Sequence, residues 1–283
     1  MSYKSLLLYV DGGEGRGAVF DHGLRLADWF DAHVTGLNVH LPSYQAFAVY
    51  GGYAVGDGGV MERLDAEARD LADRLRDEFL GRARRTGCAK AEWRYVEGET
   101  AGSISVNARY ADLVIMPCKD PDDANSLGTP ELPAHVALGC ARPVLVLPAA
   151  APVDTFGRHV LLAWNATREA TRAATAALPL MKRAGRVTIA VVDEGRRMDT
   201  AHGDVPGADI ALYLARHGIN AEVMQLSKGG SEVSDVLLST AADRGADLLC
   251  MGAYGHSRWR ELALGGTTHD ILRSMTVPTM LVC

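Results

Sequence analysis

Short runs of four to seven mostly apolar residues alternate along this chain with longer stretches whose apolar positions recur at helical spacing. The short runs at 4–10, 35–39, 91–95, 113–116 and 144–147 read as buried strands. Between them, 17–32, 61–86, 100–110 and 132–139 read as helices. The longest of these carries Leu64, Ala68, Leu71, Leu75 and Phe79 on one stripe, the mark of an amphipathic helix laid on a sheet. The alternation then begins again. Strands are expected at 160–164, 187–191, 221–225, 248–251 and 279–282, with helices at 169–184, 208–217, 233–243 and 268–274. Strands that alternate with helices imply a parallel sheet covered on both faces. The fold class is therefore α/β, with two tandem Rossmann-like domains of five parallel strands each.

The second series repeats the first in sequence as well as in pattern. Ala111-Asp112-Leu113-Val114-Ile115-Met116 matches Ala246-Asp247-Leu248-Leu249-Cys250-Met251, and Pro143 matches Pro278, both at an offset of 135. Leu6 to Asp11 matches Val160 to Asn165 at an offset of 154, so the first copy holds about nineteen extra residues in between. The glycine- and aromatic-rich segment 44–59 has no counterpart in the second copy and is the expected insertion, either a cover for a pocket or a surface loop. The domains are expected at 1–148 and 157–283, joined by an alanine- and proline-containing linker.

One stretch carries chemistry. After the strand ending at Met251 come Gly252 and Gly255, then nine residues, then Gly265-Gly266, and Thr267-Thr268 opens a helical pattern. Strand, glycine loop and helix start form an arrangement that holds phosphate, because glycine lets the backbone approach and a helix N-terminus offers unpaired N–H donors. No Gly-Lys-Ser/Thr follows, so it is not a P-loop, and the spacing is not that of the dinucleotide fingerprint. The spacing Gly252-x-x-Gly255, nine residues, Gly265-Gly266 resembles the nucleotide-binding signature of the universal stress protein family, with Gly266 where the family usually has Ser or Thr. The resemblance extends over nearly the whole chain as a tandem of two such domains. It implies adenine nucleotide alpha hydrolase-like domains packed face to face as an intramolecular pseudo-dimer, with ATP or a related adenine nucleotide, with or without Mg²⁺, as cofactor. Thr267 and Thr268 stand ready to supply the hydroxyl that Gly266 lacks.

The first copy has lost the motif. At the offset of 135, Gly252, Gly255, Gly265 and Gly266 become Pro117, Asp120, Pro130 and Glu131. Proline removes backbone donors and carboxylates repel phosphate. Nucleotide is therefore expected in the second copy alone.

Ligands of open parallel sheets sit at the carboxyl ends of the strands. This selects Ala163, Trp164 and Asn165 after one strand, Val192 and Asp193 after the next, and Met251, Gly252 and Gly255 after the fourth. The resemblance places Asn165 where an acidic residue meets the adenosine, although Asn is also a good helix cap. It gives Val192 a backbone role at the adenine edge. Met251 is either a base-packing residue or plain core. Arg258 is either a phosphate partner or a solvated loop charge. The site is thus Ala163, Trp164, Asn165, Val192, Met251, Gly252, Gly255, Arg258, Gly265, Gly266, Thr267 and Thr268. His256 has no Ser/Asp partner spacing and reads as loop structure, and Trp259 as an anchor for a partner surface or for the domain pair.

Composition narrows the function. A net charge of −6 argues against nucleic acid as a partner, and no apolar run reaches membrane-spanning length. The N-terminus leads straight into a strand and does not read as a signal peptide. Five cysteines with no C-x-x-C fit a reducing cytoplasm. The best metal candidates, Cys118, Asp120, Asp122, Asp123 and His135, read more simply as an acidic loop. The expectation is a cytoplasmic nucleotide-responsive stress protein with little or no turnover. The alternatives are a slow ATPase, for which only Asp193 offers a nearby carboxylate, and a nucleotide-free interaction module. Two tandem chains could also associate as a homodimer.

Overall fold

The computed structural model describes residues 2–45, 58–119, 129–148, 154–193, 205–254 and 266–283. The first half runs β1 (Ser5–Tyr9), α1 (Arg16–Phe30), β2 (His33–His40), α2 (Gly58–Arg85), β3 (Ala91–Glu97), α3 (Thr100–Ala108), β4 (Leu113–Pro117), α4 (Leu132–Cys140) and β5 (Val144–Leu147). The second runs β6 (His159–Ala163), α5 (Arg168–Met181), β7 (Arg186–Asp193), α6 (Ala208–Arg216), β8 (Ala221–Ser227), α7 (Val233–Arg244), β9 (Leu248–Gly252), α8 (Gly266–Ser274) and β10 (Thr279–Val282). All the expected strands form, each within two residues of the boundaries read from the pattern.

The strands lie in the order β3-β2-β1-β4-β5-β10-β9-β6-β7-β8, one ten-stranded sheet. Each half is parallel and has the same order, and the halves meet where β5 pairs antiparallel with β10. The halves therefore join edge to edge and do not pack face to face. The register explains why. Leu145 pairs with Met280, its own counterpart in the repeat, while Val144 pairs with Leu281 and Val146 with Thr279. Such a self-complementary edge is isologous, and it removes two exposed strand edges at once.

Central strands are buried from end to end, as in β4 and β9, because helices cover both faces. The outer strands β3 and β8 alternate, with Glu92, Arg94 and Glu222 turned outward to blunt the free edges. One apolar layer, containing Leu8, Phe20, Phe79 and Leu162, lies on the side of α1, α2, α5 and α6. The other, containing Tyr9, Ile104, Val136, Met251 and Ile271, lies under α3, α4, α7 and α8.

The repeated Ala-Asp has a structural reason. Asp112 accepts the backbone N–H groups of Lys4 and Ser5 at 2.6 and 3.0 Å. Asp247 does the same for Arg158 and His159 at 3.0 and 3.2 Å. In each half one carboxylate fastens the start of the first strand to that of the fourth. The linker is fastened too: Phe156, fully buried, stacks on Trp29 and meets the edge of His22, and Arg183 lies 4.9 Å over the Trp29 ring.

The extra length of the first half lies elsewhere than in segment 44–59. His40 and Ala91 are 51 positions apart and Asp193 and Ala221 only 28, and helix α2 has 28 residues where α6 has 9. The insertion is mainly helix. Its apolar stripe is buried only in its second part, at Ala72, Leu75, Phe79 and Ala83, whereas Leu64 is 49% exposed. The first part is held by polar contacts instead: Asp65 accepts from His40 Nε2 and from the Ser43 N–H, both at 2.9 Å, and Arg69 pairs with Glu97. Residues 46–57 of the expected insertion lie outside the described residues.

Candidate functional site

In the second half the chain passes from β6 to β7 on one side and returns through β9 and β10 on the other, so the strand order reverses between β6 and β9. The crevice outside the carboxyl ends of those two strands is where open α/β sheets take ligands. It brings together Ala163 at the end of β6, Met251 and Gly252 at the end of β9, and Val192 one strand away.

The sheet's alternation divides these residues. Ala163, Val192 and Met251 face the α7–α8 side, whereas Trp164 packs on the α5–α6 side. Trp164 is reached at the crevice through its backbone, whose N–H donates to the Ala190 carbonyl at 2.8 Å. Met251 is 5% exposed and sits in the core. Asn165 is exposed, and its Oδ1 accepts from the Thr167 hydroxyl at 2.8 Å and from the Thr167 N–H at 3.4 Å. Thr167, not Asn165, caps α5: its Oγ1 accepts from the Ala170 N–H. Asn165 therefore holds the cap in place, and the loop between them turns through Ala166 at a φ of 56°.

The two described glycines of the motif differ in kind. A Cβ on Gly252 would stand 2.6 Å from the Ala170 nitrogen and the Glu169 carbonyl carbon. The first turn of α5 thus lies directly on Gly252, a packing reason for glycine that spacing alone did not disclose. A Cβ on Gly266 would meet only Asp270 Oδ2, at 3.8 Å, so a larger residue fits there. Gly266, Thr267 and Thr268 form the first turn of α8, where backbone N–H groups have no helical acceptor. Thr268 is buried. Gly255, Arg258 and Gly265, with His256 and Trp259, lie outside the described residues.

The corresponding crevice of the first half is filled. Tyr9 stands where the second half has Ala163, Pro117 where it has Gly252, and Leu132 and Pro133 where it has Thr267 and Thr268. With Asp11, Lys119 and Thr129 they line a cavity of about 10 Å³, room for one water at most. Burial pushes the Tyr9 phenol above its ordinary pKa, with the Asp11 charge adding to the shift. Asp11 is buried and its Oδ1 accepts from the Gly13 N–H at 2.9 Å. The first half therefore keeps the carboxylate that Asn165 replaces, beside this small cavity.

A larger cavity, about 460 Å³, opens at the opposite end of the second-half sheet, beside Arg158, His159, Asp247 and Pro278. It lies at the amino ends of β6, β9 and β10. Burial raises the Asp247 pKa against the pull of the backbone N–H bonds that it accepts, and burial lowers that of His159, which is bonded to Thr188 Oγ1 and faces the Arg244 carbonyl. These polar groups are occupied with holding strands together.

Among the described residues no three His, Cys, Asp or Glu side chains converge as a metal site would require. Cys118 and His135 are described; Asp120, Asp122 and Asp123 are not. Among the same residues no helix is long and apolar enough to cross a membrane.

The fold defines a tandem of doubly wound α/β units, of which the second carries the small residues Ala163 and Gly252 at its switch point. Residues 157–282 match the family model described as "Universal stress protein family". The match covers the second of the two units, and there the chain is similar to that family. A universal stress protein of Synechocystis, Slr1230, is 39% identical over 67 residues, which span 24% of this chain and 22% of that relative. The chain thus aligns with about a fifth of that relative's length. A crystal structure of a universal stress protein from Archaeoglobus fulgidus superposes with a TM-score of 0.71 at 18% identity, covering 98% of this chain and 97% of the other. A functionally unknown protein from Pseudomonas aeruginosa gives 0.61 at 14% identity, over 99% and 92%. These two share the fold along the whole length.

Proposed function

We propose that the second half binds an adenine nucleotide, ATP in the first place, at the carboxyl ends of β6 and β9, and that the protein is a nucleotide-responsive member of the stress-response family. The observation that carries this reading is the contrast between two crevices of one fold. In the second half the helix start at Gly266–Thr268 is retained beside a small Ala163 and an unsubstituted Gly252. In the first half the same positions are plugged by Tyr9, Pro117, Leu132 and Pro133.

The first-turn N–H groups of α8 would take phosphate oxygens, with the Thr267 hydroxyl beside them. Ala163 would leave room for the ribose, and the Val192 backbone would meet the base edge. Gly255, Gly265 and Arg258 complete the motif in this reading. Turnover is expected to be slight. Asn165 supplies no charge to hold Mg²⁺, and its oxygen is already engaged with Thr167. In this reading the protein acts in the cytoplasm, as one chain whose halves form the pseudo-dimer, with a further homodimer open to measurement.

The test is mass spectrometry of the small molecules released on denaturing freshly purified protein, followed by titration with ATP and Mg²⁺. One adenine nucleotide per chain is expected. Two per chain would refute the single-site reading, and none, with no uptake of added ATP, would refute nucleotide binding and favour an interaction module. Sustained phosphate release would move the protein to the slow ATPases.

A further inference from the structure

The segment of the first half that lost its glycines touches the second half at an informative place. The Cys118 thiol donates to the Leu272 carbonyl of α8 at 3.0 Å. Glu131 Oε1 lies 3.4 Å from Nδ1 of His269, also on α8. Nε2 of that ring is 3.3 Å from an Arg273 guanidinium nitrogen. Arginine can only donate, so Nε2 accepts and the ring proton sits on Nδ1, facing the Glu131 carboxylate. Burial works to raise the Glu131 pKa, yet bonds from its own backbone and Thr129 and the nearness of His269 and Arg273 bring it below the ordinary value.

The pseudo-twofold axis would demand the same contacts in reverse, and they are missing. The counterparts of Cys118, Glu131, His269 and Arg273 are Ala253, Gly266, Ala134 and Leu138, with no charge among them. The polar contact is one-directional. Glu131 occupies the position that is Gly266 in the intact motif, so the substitution that spoiled one site made a grip on the helix of the other.

We infer that the first half positions α8, through Glu131 on His269 and Cys118 on Leu272, and thereby sets the nucleotide affinity of the second half. This rests on the nucleotide reading above. α8 has nine residues, about 13 Å of rigid rod, with its first turn at the phosphate position and its last turn held by the first half. Glu131 grips His269 at the end of the first turn and Cys118 grips Leu272 in the last, so the two contacts fix so short a helix along its length. Linkage then requires reciprocity: bound nucleotide must tighten the same contact by the same factor.

The experiment uses the full chain with Glu131→Gln and, independently, Cys118→Ala. Glutamine keeps the shape and removes the charge. Two quantities are read: ATP affinity by calorimetry, and hydrogen exchange, without nucleotide, of the amides of Asp270 to Ser274, which close on the first-turn carbonyls. Glu131→Gln is expected to speed that exchange and weaken ATP about fivefold, at an unchanged melting temperature. Exchange equal to wild type overturns the hold on α8 whether or not ATP binds. Faster exchange with unchanged ATP affinity overturns the coupling. Failure of the wild type to take up ATP overturns the nucleotide reading, and the exchange data alone then decide whether the first half holds α8.

Discussion

Replacing Gly252 by alanine separates two reasons for a glycine in a nucleotide motif. The added Cβ would stand 2.6 Å from the Ala170 nitrogen and the Glu169 carbonyl carbon, both backbone atoms of α5, where ordinary contact begins at 3.4 Å. A rotamer change cannot relieve this, so α5 must move by roughly 1 Å relative to β9. That helix buries Ala170, Ala173, Ala174, Ala177 and Leu178 against the sheet, and such overpacking costs about 2 kcal/mol. For a chain of this size the melting temperature should fall by about 4–8 °C. Gly266→Ser is the matched control. Among the described residues its Cβ meets Asp270 Oδ2 at an ordinary 3.8 Å and serine is the better helix residue by about 0.5 kcal/mol, so the melting temperature should hold or rise slightly. Thermal unfolding followed by circular dichroism reads both, and ATP titration follows. Gly266→Ser should bind ATP about threefold to tenfold more tightly, the worth of one hydroxyl hydrogen bond to a phosphate. A Gly252→Ala protein that melts with the wild type would refute the close approach of α5, and a destabilised Gly266→Ser would refute the ordinary contact with Asp270.

Three further outcomes follow from the polar contacts. Asp247→Asn leaves one acceptor where two strand-start amides now bond to both carboxylate oxygens, and should cost about 1–2 kcal/mol in urea unfolding; Asp112 takes both amides on Oδ2, so Asp112→Asn should cost less. The His40 hydrogen bond, with that from Ser43, holds the Asp65 carboxyl down to about 2, below its unfolded value, so its contribution is complete above about pH 4 and is lost as pH falls toward 2. The loss should be about 1 kcal/mol after solvent screening, and an Asp65→Asn protein whose acid unfolding keeps the same slope would refute this. Tyr9→Ala should destabilise by about 3 kcal/mol, measured by denaturant unfolding, and should not restore a second nucleotide per chain, because Pro117 and Pro133 still withhold donors.

The fold was legible because binary pattern and repeat agreed. Buried runs such as Leu113–Pro117 and Leu248–Gly252 can be little else than central parallel strands, and the offset of 135 fixed their equivalence. What the pattern could not convey was how the halves meet, since the pairing of β5 with β10 is a property of two edges that are far apart in sequence. The helical insertion was hidden by its own composition. The helix itself was legible from the stripe that begins at Leu64 and Ala68, but its extra turns were not recognised as the insertion, because the aromatic stretch just before drew the insertion to itself. At the site, spacing located Gly252 and Gly266 without distinguishing them. The difference lies in α5, whose approach is set by Thr167 and Asn165, and no local signal in the glycine stretch refers to it. The contacts of Glu131 and Cys118 with α8 were equally out of reach: the sequence marked one as a lost motif position and the other as a metal candidate, and only the fold brings them to α8.

The asymmetry of the two halves is better understood as one change than as many. A tandem chain needs both halves for its joined sheet, because Leu145 pairs with its own counterpart and neither edge is closed alone. The scaffold of the first half is therefore kept by packing, whatever happens to its crevice. With the crevice lined by Tyr9 and Pro117, residues nearby need spare no phosphate and can carry charge and sulfur. Glu131 and Cys118 use that freedom against the one neighbouring helix that still presents an open first turn. Two equal sites on a twofold pair can influence each other only symmetrically. With one crevice plugged, the coupling joins unlike events, a hold on α8 by one half and a ligand in the other, each strengthening the other by the same factor.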